Sequence, residues 1–170
     1  MVTDVLVDLL WTPSPDGDDH LRAMGVPEER IDRVGNIMID TLVNMLPTVE
    51  AKEHWRTYGV PHHGYAVVTL HRPSNVDQPE VLSGILDLLL DQAQSLPMVW
   101  PLHPRTRARI EALGRLGEVE AATGLHLTPP LGYLEFMSCV ASSRCVITDS
   151  GGIQEETTWL GVPCLTLRPN

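Results

Sequence analysis

Residues 149–156 read DSGGIQEE and follow an apolar, strand-like run at 145–147. A strand handing over to a helix leaves backbone N–H groups without intrahelical acceptors, and glycines let a diphosphate reach them with no Cβ in the way. Ser150, Gly151 and Gly152 are therefore the expected phosphate contacts. Glu156 lies about one turn further on, where a carboxylate would repel phosphate but accepts hydrogen bonds from both ribose hydroxyls. The pattern points to a nucleoside diphosphate. The same residues also suit an ordinary strand-to-helix turn capped by Ser150. Glu155, about 100° around the helix from Glu156, competes for the ribose role or forms a structural ion pair.

A second set of polar residues follows two other apolar runs: TLHRPSN at 69–75 and HPR at 103–105. His71 offers a titratable donor and Arg72 a fixed positive charge, which a departing diphosphate requires as its charge develops. Each histidine also has a plainer reading, stronger for His103, as a structural hydrogen-bonding group beside a proline turn. His62 and His63 are adjacent and read as loop, since neighbours on a strand point apart and do not share a metal. Glu28, Glu29, Arg30, Asp87 and Asp91 read as solvated faces.

These groups need elements to hold them. From residue 65 onward, short β-rich runs (65–70, 98–102, 126–128, 145–148, 163–167) alternate with helical patterns (79–94, 105–116, 133–142, 153–160). Near-continuous apolar character in the runs predicts an α/β fold: a Rossmann-like, doubly wound parallel sheet with helices on both faces. Leu82, Ile85, Leu86 and Leu89 mark the buried stripe of the first helix in this region. Ligands of such sheets bind at the carboxyl ends of the strands, onto which all three polar sets open.

The first 60 residues are less regular. A strand over 5–11, a turn over 12–19 and a short helix over 20–24 precede an extended 30–34. Gly35-Asn36 makes a turn or lines a cleft, and helical spacing resumes over 37–46. The proline-bounded 47–61 suggests a connector, giving a division into 1–46, 47–61 and 62–170.

Bulk properties narrow the partners. The 170 residues carry a formal charge of −10 with no Lys/Arg block, which disfavours nucleic acid and anionic membrane. Cys139, Cys145 and Cys164 lack metal spacing and read as small core residues in a reducing compartment. With no signal core or membrane-length apolar run, the expected location is the cytoplasm.

TLHRPSNVD (69–77), LHPRT (102–106) and DSGGIQEE (149–156), in this order and spacing, resemble the non-hydrolysing UDP-N-acetylglucosamine 2-epimerases. RVGNIMIDTL (33–42) and LGVPCLTLRPN (160–170) extend the likeness over nearly the whole chain. The resemblance implies one half of a glycosyltransferase-B type fold and a cytoplasmic isomerase of cell-envelope polysaccharide synthesis, homodimeric at full length, that interconverts UDP-GlcNAc and UDP-ManNAc. A base would remove the C2 proton and UDP would leave to give a 2-acetamidoglucal, both then returning with opposite configuration. It implies no cofactor and no metal. It makes Ser150, Gly151 and Gly152 the diphosphate site, Glu156 the ribose ligand and His71 the catalytic histidine. Arg72 stands beside His71, and Phe136 or Tyr133 beside uracil.

One version of the motif has an acidic residue and Asn after the His-Arg pair. Here Pro73 and Ser74 precede Asn75, so no acid role is supported there. Members are expected at about twice this length, which marks the chain as a fragment. It would hold the tail of an amino-terminal domain and a nucleotide-binding domain ending before a further diphosphate-binding arginine, and would not turn over UDP-GlcNAc alone. The alternatives are a hydrolysing relative, a glycosyltransferase of the same architecture, and a non-catalytic UDP-binding module.

Overall fold

The computed structural model describes residues 6–168. The expected strand start at Val5 and the motif tail Pro169 and Asn170 lie outside the described residues. The chain divides into two compact units, Met1–Asn44 and Met45–Asn170.

In the first unit, β1 Leu10–Thr12 pairs in parallel with β2 Ile31–Arg33, with Leu10 opposite Ile31. The helix between them, α1 Pro15–Ala23, begins within the residues expected as a turn. The signals were local: Ser14 is the N-cap and accepts from the Gly17 N–H, Pro15 occupies the first turn, and Asp16 and Asp18 place negative charge at the positive helix end. Asp18 is buried and accepts from Thr12 and Arg33, which tie both strands to the helix.

The chain passes to the second unit within α2 Ile37–Lys52. The segment 47–61, expected as a connector, is therefore mostly ordered secondary structure: α2 runs through Pro47, and a 3-10 helix follows at His54–Tyr58. Pro47 read as a stop because it removes a helix hydrogen bond. The complete burial of Val49 and the near-complete burial of Trp55 offset that loss. His62 and His63 lie in a turn with ring centroids 3.9 Å apart, not splayed as on a strand, because His63 adopts a left-handed φ of 53°. No group of three His, Cys, Asp or Glu among the described residues is arranged to hold a metal.

The second unit is a five-stranded, wholly parallel sheet. Its strands are β3 Ala66–Thr69, β4 Met98–Pro101, β5 Leu125–Thr128, β6 Cys145–Thr148 and β7 Cys164–Thr166, in the order β5-β4-β3-β6-β7. This is the Rossmann order, reversing between β3 and β6. The intervening helices are α3 Pro73–Val76, α4 Pro79–Gln92, α5 Pro104–Ala112, α6 Leu116–Ala121, α7 Tyr133–Ala141 and α8 Gly152–Leu160. Alternate β3 residues Ala66 and Val68 enter a core with Leu82, Leu86 and Leu89 of α4, Ile110 of α5 and Val119 of α6. Ile85 packs at its margin. The single helix expected over 105–116 ends early, because Gly114 takes a left-handed φ of 70°. Its N–H donates to the Glu111 carbonyl and that of Arg115 to the Ile110 carbonyl, a Schellman stop that frees the chain to start α6. No described helix is long and apolar enough to cross a membrane.

Tyr65, which precedes β3, ties the sheet to α7: its buried hydroxyl donates to the Cys139 carbonyl at 2.5 Å. Burial pushes that phenol far above its ordinary value, so it remains a neutral donor. Tyr65→Phe is expected to cost about 1–2 kcal/mol in urea unfolding by leaving a buried acceptor short of a donor.

Candidate functional site

β3 and β6 run side by side with Thr69 opposite Thr148, so the residues just beyond them emerge together where the strand order reverses. Asp149 joins the two segments. Its side chain is completely buried. The carboxylate accepts from the backbone N–H of His71 at 3.0 Å, the backbone N–H of Arg72 at 2.8 Å and Asn75 Nδ2 at 3.1 Å. His71 Nδ1 stands 3.1 Å from the same carboxylate. An ionised carboxylate only accepts, so a proton on Nδ1 suits this contact and Nε2 stays available to a ligand. Arg72 Nε donates to the Asp149 carbonyl at 3.1 Å, and Asn75 Nδ2 also reaches the Leu167 carbonyl at 2.6 Å.

The loop after β4 is fastened to the same rim. Thr106 Oγ1 donates to the Leu70 carbonyl, and Arg105 and Arg109 both pair with Asp77. His103 caps α5, its Nδ1 accepting from the Arg105 N–H at 3.2 Å. It therefore has the structural task read from the sequence. Its ring is also 5.9 Å from that of His71, and both line a pocket of about 220 Å³ with Thr69, Pro101, Pro130, Leu131 and Phe136. Larger cavities of about 890 and 500 Å³ lie at the amino ends of β4 and β5 and along the β5 edge. Of the three, the small one is lined by His71 and Phe136, both named from the sequence.

On the other side of Asp149, the Ser150 N–H is held by Thr148 Oγ1 at 2.9 Å, and α8 starts without a side-chain cap. Its first N–H groups have no intrahelical acceptor. Gly151 has φ −73° and ψ −43°, and Gly152 is already helical. Neither glycine is needed for a left-handed turn, so what they supply is space. A Cβ on Gly152 would meet nothing within 4 Å. Gly152 is exposed and Gly151 half-buried, on the same rim as His71.

Glu156 is 5 % exposed and accepts from the Tyr133 hydroxyl at 3.1 Å, whereas Glu155 is exposed. Of the two aromatics weighed for one position, Phe136 faces the pocket with the histidines and Tyr133 faces Glu156. Burial raises the Glu156 carboxyl above its ordinary 4.5, and desolvation with the Glu156 charge pushes the Tyr133 phenol up to about 12. A raised carboxyl binds its proton more tightly folded than unfolded, so this group weakens the fold as pH rises from 4.5 through the folded value. Glu156→Gln should unfold at a higher urea concentration than the parent above that range and at the same one below it.

Sequence reasoning named the rim residues but missed Asp149, Asn75 and Tyr133 as the groups holding them. The available signal for Asp149 was an acid directly after a buried strand.

All 170 residues match the family model described as UDP-N-acetylglucosamine 2-epimerase. A UDP-N-acetylglucosamine 2-epimerase of Methanococcus maripaludis is 31% identical over 100% of this chain and 48% of its own length. A UDP-2,3-diacetamido-2,3-dideoxy-D-glucuronate 2-epimerase of Pseudomonas aeruginosa is 36% identical over 99% and 46%. The crystal structure of the Methanocaldococcus jannaschii UDP-GlcNAc 2-epimerase in complex with UDP-GlcNAc and UDP superposes with a TM-score of 0.85 at 32% identity, covering 99% of this chain and 48% of that one. The chain thus spans about half the length of the curated relatives it matches.

Proposed function

This chain belongs to the UDP-N-acetylglucosamine 2-epimerase family, and from that premise we propose that its second unit is the UDP-holding part of a cytoplasmic isomerase interconverting UDP-GlcNAc and UDP-ManNAc. The observation that carries the reading is the convergence on Asp149 of the His71-Arg72 segment and the Ser150-Gly151-Gly152 turn.

The assignments follow from chemistry. The diphosphate lies on the Ser150-Gly151-Gly152 turn, where the uncapped amides of the two glycines and the helix dipole favour an anion. Glu156, buried and accepting from the Tyr133 hydroxyl, receives the ribose hydroxyls. Phe136 packs against uracil in the apolar pocket. During epimerisation the base takes the C2 proton, the anomeric C–O bond breaks, and UDP departs from the glycal. Both then return, with the proton on the opposite face. The Arg72 guanidinium stabilises the negative charge that grows on the departing diphosphate, and His71 does so in its doubly protonated form, in which Nε2 also donates. We assign the C2 proton transfers to no residue of this chain.

Titration calorimetry of the purified chain should give one-site binding of UDP, with no UDP-ManNAc or free ManNAc formed from UDP-GlcNAc by the chain alone. Absence of UDP binding would remove the reading, and sugar turnover would remove its second half. The 36% identity to the diacetamido-glucuronate epimerase favours one variation, a UDP-2-acetamido sugar other than GlcNAc on the same nucleotide site. Competition of that sugar nucleotide against UDP-GlcNAc decides between them.

A further inference from the structure

We propose that Arg168 is a diphosphate-binding residue, the fixed cation that grips the terminal phosphate of a nucleoside diphosphate lying on the start of α8. The inference rests on the nucleotide reading above and extends it to a residue outside that site.

β7 is the outer neighbour of β6, with Thr166 opposite Thr148. The Leu167 N–H donates to the Thr148 carbonyl at 2.8 Å, and the Leu167 carbonyl accepts from Asn75. Arg168 therefore leaves the sheet at the same carboxyl edge as His71 and the glycine turn. Its guanidinium lies against that turn: a methyl group built on Gly151 would stand 3.2 Å from Nη1 and 3.7 Å from both Cζ and Nη2. Any side chain at 151 would crowd the cation, so the missing Cβ makes room for Arg168 as well as for a ligand.

The guanidinium has no described partner to explain its position. Nε is buried and lacks any hydrogen bond, and no bond or ion pair joins Arg168 to another described residue. A guanidinium stays charged at any relevant pH, and a buried donor without an acceptor is costly. An arginine held this way beside uncapped helix amides is set for an anion that arrives from solution. Its planar fork matches two phosphate oxygens at once, which a lysine cannot do. The terminal phosphate of UDP gains charge when the sugar bond breaks, so Arg168 would hold free UDP more firmly than the intact sugar nucleotide.

The test is calorimetric titration of the 170-residue chain and its variants with UDP and UMP. Arg168→Leu is expected to weaken UDP by about 10- to 50-fold while changing UMP by no more than about 3-fold, in line with loss of one charge-assisted contact. Arg168→Lys should recover part of the UDP affinity, since it restores the charge without the fork. UDP affinity within twofold of the parent, or equal losses for UDP and UMP, would overturn the assignment of Arg168 and leave the nucleotide site standing. Failure of the parent chain to bind UDP at all would overturn the site, and Arg168 with it.

Discussion

Asp149→Ala is expected to destabilise the chain by about 3–5 kcal/mol and to abolish UDP binding. The carboxylate is fully buried and accepts from the His71 and Arg72 backbone N–H groups and the Asn75 amide, with His71 Nδ1 3.1 Å away. Removing it strands several donors in the interior at once, and each stranded donor costs its own desolvation. The loss also releases the His71-Arg72 segment from the glycine turn, because no other described group on the β6 side holds both backbone amides. Asp149→Asn should restore only part of the stability: one amide oxygen still accepts, but the NH2 group faces donors. Urea unfolding followed by circular dichroism, with calorimetry on the folded fraction, measures both effects. A change below about 1 kcal/mol for the alanine variant would show that the carboxylate is not what joins the two motifs.

Much of this arrangement was legible in the residues themselves. Strands such as Ala66–Thr69 and Cys145–Thr148 are short apolar runs because a parallel sheet is covered on both faces, and the Leu82-Leu86-Leu89 stripe follows from helical spacing. The carboxyl-end placement of His71 and the glycine turn followed from the fold class alone. What stayed hidden depends on contacts distant in sequence. The bond from the His71 N–H to Asp149 spans 78 positions, and nothing in either motif announces that β3 pairs with β6. The choice between Glu155 and Glu156 was open for the same reason: neighbouring helix residues differ in burial only once it is known which side meets the rest of the domain. Local rules also failed where packing outweighed them, as at Pro47, where the burial of Val49 carries the helix through a residue that ordinarily ends one.

Gly152→Val separates a glycine kept for the fold from one kept for a ligand, because the two reasons predict opposite outcomes. Gly152 has helical geometry in α8, and a Cβ there would meet no atom within 4 Å. Valine restricts the unfolded chain more than glycine and has the better helix propensity, so the unliganded variant should be as stable as the parent or up to about 0.5 kcal/mol more so. Its branched methyls would nevertheless fill the approach to the amides at the helix start, and UDP affinity should fall by at least about 100-fold, equivalent to roughly 2.7 kcal/mol. Gly151→Ala offers the contrasting case, since its Cβ would press on Nη1 of Arg168 at 3.2 Å before any ligand arrives. A glycine at a helix start that the fold would replace at no cost, and the ligand would not, is evidence that space above the amides is what that position supplies. Equal UDP affinity in Gly152→Val and the parent would mean that the diphosphate does not lie on this turn.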